Sequence, residues 1–327
     1  MARTYSRRSV LAGVAAGSTV SVAGCLGFGD DGETIRISGG VGPRPMVEVW
    51  GDIYEDDNDV QLDISGGGTG VGVSDVLNDQ VDIAMMGREP FEEELDRGLV
   101  AVPMLIDTVV GTVSEDNPVL DTIQQQGLTR ADMEAAFTRE VTNWGELLET
   151  DIDEDIVVFG RSDASAAYKQ WGDFLAGDGG AYTQSELEGF ADESHNGDQG
   201  MVQALRRTEN AIGMNNINYV YDTDTGELEG DIRPIPLDSD GTGLDPAEDF
   251  YETRDEFLGG VERGDYPAPP AREMWLAAND TYDETAAEFV EWVLDEGQQY
   301  VRENGYVSLE QDRLVDARET LSAHSEL

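Results

Sequence analysis

Apolar and polar residues alternate along Thr34–Ser38 (Thr-Ile-Arg-Ile-Ser), the period of a half-buried strand. The segment runs into Gly39-Gly40-Val41-Gly42-Pro43, and a helical pattern follows over Met46–Tyr54. Val60–Ser65 alternates again, enters Gly66-Gly67-Gly68-Thr69-Gly70, and precedes a helix carrying Val73, Val76 and Leu77. Val81–Ala84 reads as a third strand. Strand, glycine-rich turn and helix recurring in this order predict parallel α/β structure. No repeat of fixed period is visible.

Ala101–Val113 is a β-rich run that reads as two successive strands crossing between domains. Thr129 is placed to cap a helix running to Phe137, with Asp132 three residues on. Ile156–Phe159 predicts a strand that enters Gly160-Arg161-Ser162-Asp163-Ala164-Ser165, and the next helix carries Tyr168, Trp171, Phe174 and Leu175. Gly200–Arg206 reads as helix, Ala211–Met214 as strand, and 221–250 as irregular. Past the break at Tyr266–Pro270, Met274–Ala278 is a strand and Glu284–Arg302 one long helix ended by Gly305.

A chain of 327 residues makes one large or two medium domains. Apolar residues are 39% of it, enough for a core. Against 69 acidic residues stand 20 basic ones, a formal charge of -49. That balance excludes a nucleic-acid-coating protein, since the phosphate backbone would be repelled, and docking on anionic lipid by a basic patch. The carboxylates are spread evenly and Lys169 is the only lysine. The pattern suits a folded protein in molar salt, where the Debye length is about 3 Å and carboxylates keep the surface soluble. Acidity then says where the protein works, not what it does.

The N-terminus reads as an address. Arg7-Arg8 precede a weakly apolar stretch, Val10–Ala23, and then Val22-Ala23-Gly24-Cys25. The stretch is short for a membrane span, and the twin arginines fit a signal that exports folded proteins. Residues 1–25 are expected to be a signal peptide whose lipobox ends in the lipidated Cys25, with 26–33 as a tether. Cys25 is the only cysteine, so the mature chain forms no internal disulfide.

Candidate catalytic chemistry is sparse. The two histidines are His195, expected in an exposed loop, and His324, in a polar tail. No H-E-x-x-H, G-x-S-x-G or P-loop motif occurs. With carboxylates everywhere, a close pair of them says nothing. No metal site or cofactor is expected. What stands out is that Gly40-Val41-Gly42, Thr69-Gly70 and Ser165-Ala166-Ala167 each open a helix. A helix N-terminus offers free N–H groups and a partial positive charge. Three such ends in one cleft bind an oxyanion without a lysine patch. Arg161 stands four residues before Ser165, and its fork can take two oxygens of a tetrahedral anion. Taken singly, each turn reads better as a tight turn with an ordinary cap; all three beside one arginine favour the anion.

With these elements in order, the chain resembles the phosphate-binding proteins of ABC importers, the Pst type of the periplasmic-binding-protein class, from about Thr34 to Leu309. Ser65-Gly66-Gly67-Gly68-Thr69-Gly70-Val71-Gly72 is similar to that family's second anion loop. Val81 to Pro90, through Gly87-Arg88, is similar to its "S-R-x" turn, and Val141-Thr142-Asn143-Trp144 to its "I-x-N-W" turn. Gly160–Ser165 is similar to "R-x-x-x-S-G-T". Asn210–Met214 and the stretch from Glu296-Gly297-Gln298 to Gly305-Tyr306-Val307 also match. The departures lie in the loops: Gly39, Gly40, Val41 and Gly42 stand where Gly-Ser-Ser-Thr is usual, Gly87 for a serine, and Ala166-Ala167 for Gly-Thr. Each lost hydroxyl to a charged oxygen is worth about 1.5–3 kcal/mol, while the backbone N–H groups are expected to remain.

The resemblance implies a two-lobed α/β fold of type II, each lobe a sheet flanked by helices, joined by two crossing strands. Residues 34–107 plus 259–318 would form lobe one, 108–258 lobe two, and 319–327 a polar tail. It implies a monomeric, lipid-anchored substrate-binding protein on the outer face of the membrane, with no enzymatic activity. Its cleft would bind phosphate and deliver it to an ABC permease. Gly40, Val41, Gly42, Thr69 and Gly70 would contact the anion from lobe one, and Arg161, Ser165, Ala166 and Ala167 from lobe two. Arg88 would either join them or pair with a surface carboxylate. The missing hydroxyls keep open another oxyanion (sulfate, molybdate, tungstate, phosphonate), a larger phosphorylated ligand, or a surface sensor that lost its ligand. An exported phosphoester hydrolase is the alternative of another class; it needs a nucleophile or metal cluster not found in the sequence.

Overall fold

The computed structural model describes residues 33–163, 165–177, 180–222, 224–245 and 248–325. The signal segment with Cys25, and the tether up to residue 32, lie outside them. Ten strands follow in chain order: β1 (Glu33–Gly39), β2 (Val60–Gly66), β3 (Ile83–Met86), β4 (Leu99–Asp107), β5 (Val109–Ser114), β6 (Val157–Arg161), β7 (Glu193–His195), β8 (Ala211–Asn216), β9 (Ile232–Pro234) and β10 (Arg272–Asn279). They build two five-stranded sheets ordered β2-β1-β3-β10-β4 and β7-β6-β8-β5-β9. In each sheet three parallel strands adjoin antiparallel ones: β1 runs parallel to β2 and β3, β6 to β7 and β8, while β10 and β5 run against their neighbours.

Each sheet has its own core. Around the first, Met46, Val47, Trp50 and Tyr54 of the Arg44–Asp57 helix pack with Phe289, Val290 and Val293 of the Glu284–Leu294 helix. Tyr54 meets Phe289 edge-on at 5.2 Å, and Trp50 Nε1 donates to Gly297 O at 2.8 Å. The second core gathers Trp144, Tyr168, Trp171, Tyr221 and Phe257. A chain reversal joins the two: β4 ends at Asp107, β5 starts at Val109, and only Thr108 lies between. The expected double strand across the β-rich run is therefore two strands, one in each sheet.

Four expectations need correction. The second core extends through Leu258, Val261 and Tyr266 to Ala271, and Tyr266 Oη donates to Val109 O at 2.7 Å. The chain thus returns to the first sheet at Arg272, not near 259. The helix expected over Glu284–Arg302 stops at Leu294, where Asp295 leaves helical geometry (φ -106, ψ -88) and two short 3₁₀ turns follow; the Trp50 bond to the Gly297 carbonyl holds the break. Residues 319–323 are not a tail but the last turns of the Gln311–Ala323 helix, whose Leu314, Ala317 and Leu321 stripe is buried. Finally, the irregular 221–250 region contributes the edge strand β9.

Candidate functional site

The parallel strands aim both sheets at one place. β1, β2 and β3 end level, Gly39 pairing in register with Gly66 and with Met85. β6 and β7 end with Arg161 beside His195. In each sheet the chain leaves the middle parallel strand to one side and later returns on the other. The crevice at the carboxyl ends of such strands is where open α/β sheets bind ligands. A cleft of about 1250 Å³ opens there, lined from the first sheet by Gly40, Val41, Gly42, Gly67–Val71 and Gly87 and from the second by Arg161, Asp163, Ser165, Ala166, Ala167 and Asp198.

Close backbone approach makes this geometry possible. Gly39 has φ +134, and a Cβ on Gly72 would lie 2.6 Å from Gly39 Cα and Ser38 O. The Thr69–Leu77 helix can therefore start directly against the end of β1 only with glycine at both positions.

Counting amides separates the three helix starts. In the Thr69–Leu77 helix, Val71 and Gly72 N–H donate to Gly68 O at 3.1 Å, which leaves the first-turn amides of Thr69 and Gly70 for the cleft. In the Ala166–Ala176 helix, Ser165 Oγ accepts from Tyr168 N–H at 3.1 Å and Ser165 O from Lys169 N–H, leaving Ala166 and Ala167. The Arg44–Asp57 helix offers little, because Pro43 and Pro45 carry no N–H and Met46 and Val47 donate to Pro43 O. The expectation that backbone N–H groups remain at every loop fails at two positions: Gly40 N–H donates to Met85 O at 2.8 Å, and Gly87 N–H to Thr69 Oγ1 at 3.0 Å. Two helix ends, not three, supply the free amides. They converge: a Cβ built on Gly87 would be 3.7 Å from Thr69 Oγ1 and 3.8 Å from Ala166 Cβ. Because Thr69 Oγ1 and Ser165 Oγ each already accept one N–H, each hydroxyl keeps its proton for an outside acceptor.

Arg161 is buried at the mouth of the second helix start. Its Nε and Nη2 donate to Asp163 at 2.8 and 2.9 Å, and Nη1 lies 3.0 Å from Asp198 Oδ2. Asp163 and Asp198 thus hold the fork between them with Nη1 shut off from solvent, and the second hydrogen of Nη2 is left uncommitted for a ligand. Burial disfavours the charge on Arg161, but the hydrogen bond to Asp163 and the charges of Asp198 and Asp163 raise its pKa above the usual arginine value. Burial likewise pushes Asp163 up, and the bonds from Arg161 and from Gly197 N–H outweigh it and hold its carboxyl low.

At the floor lies a group the sequence reading missed. Asp107, fully buried, accepts from Arg272 Nη2 at 2.8 Å and from the Asn216 side-chain amide. Asn216 N–H donates to Asp198 Oδ1 at 2.8 Å, so the floor is linked to Arg161. All four residues line the cleft. One signal was available: Arg161 and Asp163 two apart at a strand end share a face. Arg272 and Asp107 are brought together only by the antiparallel pairing of β10 with β4. Two residues singled out in the sequence lie outside the cleft lining. Arg88 is bound to both oxygens of Glu94 and stacked over Phe91 at 3.6 Å, outside the cleft lining. His195 is not a loop residue; it ends β7, with its ring edge-on to Phe159 at 4.7 Å.

The sequence profile of the PBP superfamily domain matches residues 27–296. The chain belongs to the PBP superfamily. Among curated relatives of this PBP-superfamily chain, protein SphX of Synechococcus elongatus is 23% identical over 278 residues, covering 81% of this chain and 74% of the relative. The phosphate-binding protein PstS of Pseudomonas aeruginosa is 22% identical over 286 residues, covering 81% and 79%. Among solved structures, a phosphate ABC transporter substrate-binding protein from Clostridium perfringens with bound phosphate matches with a TM-score of 0.63 at 21% identity, covering 85% of this chain and all of that one. An ABC-type phosphate transport receptor from Vibrio cholerae matches with a TM-score of 0.63 at 20% identity, covering 84% of this chain. These structures share the two-sheet fold of this PBP-superfamily chain.

Proposed function

We propose that this chain is the substrate-binding protein of an ABC importer, exported by its twin-arginine signal, lipidated at Cys25 and monomeric on the outer face of the membrane. It captures an oxyanion, with phosphate as the reference ligand, and presents it to a permease without chemical conversion. The observation that carries this reading is the meeting of two helix N-termini, at Thr69 and Ala166, beside buried Arg161. The names of the PstS relative and of the solved structures support it.

The cleft works by direction rather than by net charge. Its lining holds two guanidiniums, Arg161 and Arg272, against five carboxylates, Glu48, Asp52, Asp107, Asp163 and Asp198. Free amides of Thr69, Gly70, Ala166 and Ala167 point at one small volume, and partial charges at fixed positions stabilise an anion there. Thr69 Oγ1 and Ser165 Oγ donate their remaining protons, and the uncommitted N–H of Arg161 Nη2 adds a charge-assisted bond. A carboxylate oxygen of Asp163 or Asp198 can also accept a proton that the oxyanion carries. Hydrogen phosphate has one; sulfate does not. Closing of the lobes would bury the anion and complete its contacts.

Isothermal titration of the mature chain in molar KCl with phosphate, sulfate, molybdate, tungstate and a phosphonate tests this. Saturable binding of at least one at a single site per chain, with sulfate weaker than phosphate, is expected. Absence of binding to all of them would overturn it. For the anchor, Cys25→Ser is expected to release the protein from the membrane fraction into the medium.

A further inference from the structure

The floor of the cleft is unfinished for a bare oxyanion. Arg272 has only 6% of its side chain exposed, and while Nη2 bonds Asp107, Nε and Nη1 have no partner among the described residues. Buried guanidinium N–H groups are costly to leave unsatisfied. Gly42 keeps the cleft side of this pair uncovered: a side chain there would lie 3.4 Å from Arg272 Nη2 and 3.8 Å from Asp107 Oδ2. The cleft also presents apolar side chains to solvent. Val41 is 70%, Val71 46% and Tyr219 40% exposed, and all three line it. A tetrahedral anion gives these carbons nothing to bury against, whereas a carbon-bearing ligand does.

We infer that the ligand is an organic phosphate or phosphonate, whose oxyanion head sits at the two helix ends and whose short substituent packs on Val41, Val71 and Tyr219 and ends in a hydrogen-bond acceptor held by Arg272. This rests on the oxyanion reading above and narrows it to a substrate class. Esters and phosphonates share the chemistry used here: a tetrahedral phosphorus anion with one carbon-containing arm.

The test is isothermal titration of the mature chain in molar KCl with inorganic phosphate, phosphonoacetate and glycerol 3-phosphate. At least one organic probe is expected to bind about tenfold tighter than inorganic phosphate or better; phosphonoacetate winning points to a carbon–phosphorus ligand, glycerol 3-phosphate to an ester. Inorganic phosphate binding as tightly as both overturns the inference and leaves the oxyanion reading intact. Failure of all three also overturns the inference; the oxyanion reading falls with it only if sulfate, molybdate and tungstate fail to bind as well. Arg272→Gln keeps an amide for Asp107 and is expected to weaken the organic probe about tenfold to a hundredfold, with a much smaller effect on inorganic phosphate. Equal loss for both would make Arg272 a structural residue and overturn its assignment. Val71→Ser, at an exposed position, carries the same comparison should Arg272→Gln not fold: about threefold to tenfold weaker organic binding is expected, and equal effects on both ligands contradict the inference.

Discussion

Gly87→Ser should create affinity rather than destroy it. Gly87 stands where the resembled family carries a serine, and its backbone is outside the left-handed region. A Cβ there meets Met274 Sδ at 3.6 Å, Thr69 Oγ1 at 3.7 Å and Ala166 Cβ at 3.8 Å, all ordinary contacts. The hydroxyl would therefore enter the gap between the two helix starts without displacing either. A hydrogen bond to a charged oxygen contributes about 1.5–3 kcal/mol, and every 1.4 kcal/mol is about tenfold in affinity. Phosphate should bind about tenfold to a hundredfold tighter. Replacing a glycine whose conformation suits other residues also stabilises by about 0.4–1 kcal/mol through the unfolded state, so Tm should hold or rise slightly. Titration calorimetry with inorganic phosphate in molar KCl, beside a scanning calorimetry trace, reads both. A folded Gly87→Ser protein with unchanged Tm and phosphate affinity within about twofold of the parent would refute the placing of the anion at these helix ends, because the gain is computed from that placing.

Other perturbations probe the supports of the site. Gly72→Ala puts a methyl 2.6 Å from Gly39 Cα and Ser38 O; urea unfolding should show a loss of about 1–3 kcal/mol from overpacking, and phosphate binding should weaken because the Thr69 helix start must shift. Glu94, held low chiefly by the hydrogen bond from Arg88 and further by Phe91 N–H, and Asp163, held low against burial by Arg161 and Gly197 N–H, have depressed carboxyl pKa values in the folded state. Their stabilisation is complete above the ordinary carboxyl values of about 3.9–4.3 and is lost as pH falls through the lower folded values, so Tm against pH should drop on the acid side and Asp163→Asn should flatten part of that drop. Asp52 is pushed up by burial and by Glu55, Glu48 and Asp56. Like charges at helical spacing cost about 0.2–0.5 kcal/mol each, so Asp52→Asn should raise Tm at low salt and lose that gain in molar KCl, where such repulsion is screened.

Local pattern made much of this legible. The alternation of β1 and β2, the glycine turns after them, and the Thr129 cap, whose Oγ1 accepts from Asp132 N–H at 3.1 Å, are set by neighbours in sequence, and so were the helix starts at Thr69 and Ala166. What stayed hidden depends on contacts between distant segments. The Glu284 helix breaks because Trp50, some 250 residues earlier, binds Gly297 O. The last helix reads as a tail at its end because Leu314, Ala317 and Leu321 are spaced among charges and the stripe shows only once the first core is assembled. The return crossing slipped because Phe257 and Tyr266 are ordinary aromatics until Tyr221 and Tyr251 surround them. The same limit hid Arg272, which is separated from its partner Asp107 by 165 positions. In a chain this rich in carboxylates, no spacing rule singles out Asp107 or Asp198. Arg88 shows the reverse: a motif match leaves it either at the anion or on a carboxylate, and a local one, Glu94, holds it.

The central claim is that two helix N-termini and Arg161 hold a tetrahedral anion. A crystal structure of the mature chain grown with tungstate, with the tungsten located by its anomalous signal, tests it most directly. One tungsten is expected in the gap bounded by Gly87, with oxygens within hydrogen-bond reach of the Thr69, Gly70, Ala166 and Ala167 amides and of Arg161 Nη2. Tungsten bound elsewhere on the protein with this gap empty, at concentrations that saturate binding in solution, would contradict the account.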